Sequence, residues 1–162
     1  MTQTAELPPH VAALLQPQAY DHPAPEPQLR ETHISWVILA GDFVYKLKKP
    51  VNLGFADFST LEQREHDCHE EVRLNRRLAP DVYLGVVHVV TRDGRYFAFG
   101  DGPPVEPAVH MLRLPEDGML PGLLARDQVD TRLMQRIARR VARFHASAPT
   151  GRGSCGRCSW RC

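Results

Sequence analysis

The sequence predicts an α+β fold: a small antiparallel sheet carrying one helix, followed by the beginning of an all-helical part. Three observations predict it. Two β-branched and aromatic runs flank a Gly-Asp pair at residues 41–42. A capping motif near residue 60 opens a helical pattern. A long segment, Thr131 to Ser147, spaces its apolar residues for one helix face.

The chain has 162 residues, 43% of them hydrophobic and 24% charged, which suits a globular domain with an apolar core. Its formal net charge of +1 gives no global attraction to nucleic acid or to an anionic membrane. No apolar run is long enough to cross a bilayer. The start, Met1 to Glu6, has neither the basic nor the apolar region of a secretory signal, so a cytoplasmic protein is expected. Of the cysteines, Cys68 stands alone, and Cys155, Cys158 and Cys162 crowd the last residues. That lopsided spacing does not make a disulfide framework.

Residues 1–31 read as a short helix, Val11 to Leu15, and then a proline-rich extended lead-in, Pro17 to Pro27. Each proline removes an amide donor and biases the residue before it away from helix. Ile34 to Ala40 and Phe43 to Leu47 read as a β-hairpin around Gly41-Asp42. After a loop, Val51 to Phe58, Ser59-Thr60-Leu61-Glu62 has the form of a capping box, and the helix is expected to reach about Leu78, before Pro80. At about 100° per residue, Leu61, Cys68 and Val72 fall within about 40° of one another, and Leu74 and Leu78 extend that arc. Glu71 projects inside the extended arc, and Glu70 points away. A carboxylate on the buried side of a helix needs a partner, because an unpaired buried charge is costly.

Tyr83 to Thr91 reads as a further strand. Asp93-Gly94 turns it back into Arg95 to Phe99, and a turn at Gly100 to Pro104 precedes a short strand, Val109 to Leu114. Met119 to Ala125 is a short helix. Thr131 to Ser147 is a long one, with Met134, Ile137, Val141 and Phe144 on one face and arginines on the other. Such an apolar stripe, left without packing partners, promotes self-association. His66, Cys68, His69 and Glu70 spread around their helix and do not converge on a metal ion. His145 reads as a helix-face histidine. Cys155 and Cys158 with Cys162 have zinc-like spacing at one end only.

Several segments agree in order with one known family. They are Glu31 to Val37, Gly41 to Pro50, Gly54 to Leu61, Leu74 to Pro80, and Tyr83 to Val86. Over about residues 31–148 the chain resembles the aminoglycoside-phosphotransferase-like branch of the protein-kinase-like fold. The likeness is to the kind of domain that precedes a P-loop ATP-binding domain in bacterial fusion proteins. The resemblance implies a kinase-like amino-terminal lobe and hinge over residues 32–114. It implies an incomplete start of the helical carboxy-terminal lobe over 115–148.

By that resemblance Lys46 is the third-strand lysine that contacts the α- and β-phosphates of ATP or another purine nucleotide. Glu71 is the helix glutamate that pairs with it, and Arg64 and Arg92 are its other candidate partners. Thr32, His33 and Ser35 occupy the phosphate-loop position without its glycine-rich pattern. Val109 to Leu114 would be the strand and hinge that meet the adenine ring.

The family's acceptor-positioning aspartate and its Mg2+ ligands follow the long helix. Here that helix leads instead into a tail, residues 149–162, rich in Gly, Arg, Ser and Cys. The tail is expected to be disordered, and its abrupt composition suggests a shifted reading frame. Asp57-Phe58-Ser59 resembles a kinase metal-binding triplet but precedes the helix, the wrong place for one. The implied function is therefore that of an amino-terminal piece of an ATP-dependent small-molecule phosphotransferase. Mg2+ and a phosphate acceptor would belong to the complete protein, and this chain alone would be inactive. The alternative is an inactive nucleotide- or partner-binding remnant. Neither nucleic acid nor membrane is expected as a partner.

Overall fold

The computed structural model describes residues 7–98 and 100–149. The chain divides into two compact units, the first ending at Arg113 and the second beginning at Leu114. The first unit is α+β. Its strands are β1 (Gln28–Glu31), β2 (Ser35–Ala40), β3 (Phe43–Lys48), β4 (Tyr83–Arg92), β5 (Arg95–Phe97) and β6 (Pro104–Leu112). They form one sheet in the order β1-β2-β3-β6-β4-β5, and every pairing is antiparallel. Helix α2 (Leu61–Asn75) lies between β3 and β4 in sequence and packs on β4 and β6.

The period-2 rule of a strand sorts β3 between two layers. Phe43, Tyr45 and Leu47 pack into the larger core with Val11, Leu14, Ala19 and Ala24. Lys46 and Lys48 face the other way, toward α2. On the α2 side a smaller core joins Cys68 and Val72 to Val109, Val86, Tyr83 and Met111. The amino-terminal segment is thus a covering layer for one sheet face. It contains α1 (Pro9–Ala13), a 3-10 turn at Pro17–Ala19, and then β1, which pairs along β2. Strand β1 is absent from the sequence reading, because Gln28-Leu29-Arg30-Glu31 has the composition of an exposed edge and only its partner β2 makes it a strand.

The hairpin at Gly41-Asp42 is present, with Ala40 opposite Phe43 and Gly41 at φ +58°. A Cβ on Gly41 would stand 2.2 Å from the carbonyl oxygen of Pro23. Gly41→Ala therefore combines a left-handed backbone with a backbone clash. It is expected to cost about 2 kcal/mol or more, read as a lowered urea midpoint with an unchanged slope.

Several boundaries differ from expectation, each for a local reason. The helix cap is Thr60, not Ser59. The Gln63 amide donates to Thr60 Oγ1 (3.3 Å), and the Thr60 amide donates to Gln63 Oε1 (3.1 Å). Ser59 is drawn into a turn by Asp57, whose Oδ1 accepts from the Ser59 amide at 3.0 Å. Helix α2 ends at Asn75, short of Leu78. Leu61, Leu74 and Leu78 are exposed, so the buried stripe of α2 is Arg64, Cys68 and Val72. Strand β6 begins at Pro104, earlier than the predicted Val109, and runs through Pro107. Pro107 lies beyond the β3–β6 ladder, which covers Ala108 to Leu112, and stands opposite His88 of β4. Strand β5 ends at Phe97, and Phe99 lies outside the described residues.

The second unit holds a 3-10 turn at Glu116–Gly118, helix α3 (Leu120–Ala125) and helix α4 (Thr131–Ser147). Helix α4 has the predicted bounds, and Asp130 caps it by accepting from the Leu133 amide at 2.6 Å. Met134, Ile137 and Val141 are exposed. The tail from residue 150 onward, with Cys155, Cys158 and Cys162, lies outside the described residues. Among the described residues no helix is long and apolar enough to cross a membrane.

Candidate functional site

Strand β3 and helix α2 bring together four charged side chains. Lys46 Nζ donates to Glu71 Oε1 at 2.8 Å, and Lys48 Nζ donates to Glu71 Oε2 at 2.9 Å. Lys48 Nζ also pairs with Asp67 Oδ2 at 3.0 Å and lies 5.0 Å from the centre of the Phe58 ring. Two periodicities create the cluster. Lys46 and Lys48 are two apart on one strand face, and Asp67 and Glu71 are four apart on one helix face.

Exposure separates the two lysines. The Lys48 side chain is 4% exposed, Glu71 14% and Lys46 26%. Burial alone would raise the Glu71 carboxyl, but the hydrogen bonds from Lys46 and Lys48 outweigh it and hold the carboxyl below its ordinary range. Burial would likewise lower Lys48, yet its bonds to Glu71 and Asp67 hold its ammonium above the ordinary lysine value. The Glu71 carboxylate and the Lys48 ammonium therefore stabilise each other's charged forms, and the more accessible Lys46 stands at the outer end. Burial pushes the neighbouring Cys68 thiol up to about 12, which leaves it un-ionised and unreactive at neutral pH.

The other cations weighed as Glu71 partners are engaged elsewhere. Arg64 Nε and Nη2 donate to Glu106 Oε1 and Oε2 at 2.5 and 2.9 Å, and Arg64 Nη1 donates to the carbonyl oxygen of Phe58 at 2.9 Å. The Arg92 guanidinium lies 4.2 Å from the centre of the Phe97 ring.

Thr32 and His33 lie in the turn between β1 and β2, and Ser35 opens β2. The Thr32 amide donates to the Ser35 carbonyl oxygen (2.9 Å). Thr32 Oγ1 accepts from the amides of Ser35 (2.9 Å) and Ile34 (3.3 Å). The amides a phosphate would need are thus directed at the turn's own hydroxyl. His33 is exposed and Ser35 is fully buried. Ser35 lies opposite Lys48 and Val37 opposite Lys46, so the turn closes the same end of the sheet as the lysines. At the far end of β6 the Leu112 amide donates to the Val82 carbonyl oxygen, and the Arg113 amide to that of Asp42.

Sequence reasoning found Lys46 and Glu71 but missed Lys48, Asp67 and the Arg64–Glu106 pair. The lysine spacing was a usable signal for Lys48. Nothing local links Arg64 to Glu106, which lie 42 positions apart.

No family model matches the chain, and no solved structure matches it. It is similar to uncharacterized proteins of Mycobacterium tuberculosis and Mycobacterium bovis, 39% identical over 124 residues in each case. The match covers 76% of this chain but 23% of each relative, so the chain spans about a quarter of the length of the curated relatives it matches.

Proposed function

We propose that the chain is the nucleotide-side portion of a kinase-fold phosphotransferase acting on a small molecule, with Lys46 as the phosphate-contacting lysine and Glu71 as its partner. The observation that carries this reading is the 2.8 Å bond between a third-strand lysine and a carboxylate on the next helix. The topology supports it. A three-strand meander, a helix, and three later strands, the last lying between β3 and β4, make up the small antiparallel sheet with one helix that the resemblance implies. The length of the mycobacterial relatives supports it as well, since catalytic parts would lie in further sequence.

The chemistry fits an anion at Lys46. An ammonium has three donors, and one of them serves Glu71. The others can meet phosphate oxygens while the carboxylate holds the flexible stem in position. Mg2+ does not fit this cluster. Both carboxylates, Glu71 and Asp67, are engaged by lysines, and no step is assigned to a metal here. The resemblance puts those ligands, and the acceptor-positioning aspartate, after the long helix.

The test is a titration of this chain with a fluorescent ATP analogue, followed by competition with ATP. Saturable binding is expected. Lys46→Met should weaken it about tenfold or more, since a hydrogen bond to a charged group contributes about 1.5–3 kcal/mol. A folded wild-type chain that shows no saturable binding would overturn the reading.

A further inference from the structure

We propose that Lys48 is a positioning residue, which holds one oxygen of Glu71 so that Lys46 can share its ammonium between that carboxylate and a nucleotide phosphate without leaving a buried carboxylate short of counter-charge. The inference rests on the reading of Lys46 given above and adds a second lysine to it.

The geometry is asymmetric. Lys48 is the deeper of the two lysines and is held on three sides, by Glu71 Oε2, by Asp67 Oδ2 and by the Phe58 ring. Lys46 is the shallower and binds the other oxygen, Glu71 Oε1. A carboxylate served by Lys46 alone would share its one counter-charge with the phosphate whenever Lys46 bound one, and an under-compensated buried charge is costly. With Lys48 in place, one oxygen keeps its partner throughout. Lys48 also separates two carboxylates, Asp67 and Glu71, that lie one helical turn apart and would otherwise repel. Two lysines and two carboxylates balance in formal charge, so Lys46 meets a phosphate from a balanced site.

The groups that face Glu71 are Lys46 and Lys48 from β3, Asp67 and Cys68 from α2, and Tyr83 from β4. Among the described residues Lys46 and Lys48 supply the positive charge there, so replacing Lys48 should be visible at the Glu71 carboxyl itself.

The experiment follows the Glu71 side-chain carboxyl by carbon-13 NMR across the acid range and measures ATP-analogue binding on the same samples. In Lys48→Met the Glu71 midpoint should rise and the affinity should fall about tenfold. Lys48→Arg should restore both in large part. In Asp67→Asn, which leaves Lys48 wholly to Glu71, the midpoint should fall or stay. An unchanged midpoint in folded Lys48→Met, or a rise in Asp67→Asn, overturns the positioning role. The carboxyl measurement does not depend on nucleotide. If Lys48→Met raises the midpoint while the wild-type chain binds no ATP analogue, the holding of Glu71 stands and its part in phosphate binding falls together with the phosphotransferase reading.

Discussion

Glu106→Ala is expected to lower the unfolding free energy by about 3–5 kcal/mol, one of the two largest single-residue effects anticipated in the first unit. The reason is the partner that it leaves behind. Arg64 is buried at the start of α2, and its fork meets both oxygens of Glu106 while its remaining nitrogen donates to the carbonyl oxygens of Phe58 and Ser59. Without Glu106 a guanidinium stays in the interior with no counter-charge. The double variant Arg64→Met with Glu106→Leu removes both charges, fills similar volume, and should recover most of the loss. Urea unfolding of the two variants checks this. A single variant as stable as wild type would mean that water or a rearranged α2 relieves the charge.

Glu71→Ala is expected to cost about 2–3 kcal/mol and to abolish ATP-analogue binding. The cost is lower than for Glu106 because Asp67 still serves Lys48. The variant should also change how stability depends on pH. The Glu71 carboxyl lies below its ordinary value of 4.5 in the native chain. The unfolded chain therefore takes up the proton first, and the contribution of Glu71 is complete above about that value and lost as pH falls through the lowered native one. Lys48 acts at the opposite end. Its native value lies above the ordinary 10.5, so its contribution is complete below that value and lost as pH rises through the raised one. In Glu71→Ala the acid limb of the stability profile should flatten, and the alkaline limb should shrink. A variant whose acid limb matched wild type would show that other carboxylates dominate acid unfolding.

The hairpin at Gly41-Asp42 and the bounds of α4 were legible because their causes are local: a turn residue between β-branched runs, and a capped run of helical spacing. Thr60 was missed as the cap because two adjacent hydroxyl residues each satisfy the capping pattern, and Asp57 decides between them by claiming the Ser59 amide. Leu74 and Leu78 were placed on the buried arc by angle alone, yet both are exposed, since the sheet covers the stripe of Arg64, Cys68 and Val72 instead. Glu71 was legible as a carboxylate that needs a partner. That it takes two partners was not.

The sequence alone determined the hairpin about Gly41-Asp42, the order of the elements from β2 onward and the side of α2 on which Glu71 lies, because each depends on residues within a turn or two of one another. Tertiary structure decided the rest. It made an edge strand of Gln28–Glu31, turned the proline-rich segment into a covering layer, and sent Arg64 to Glu106 instead of Glu71. It also decided that Lys48 is the buried lysine and Lys46 the accessible one. A strand's alternation puts both lysines on one face, and only the helix laid across that face settles how deep each one lies.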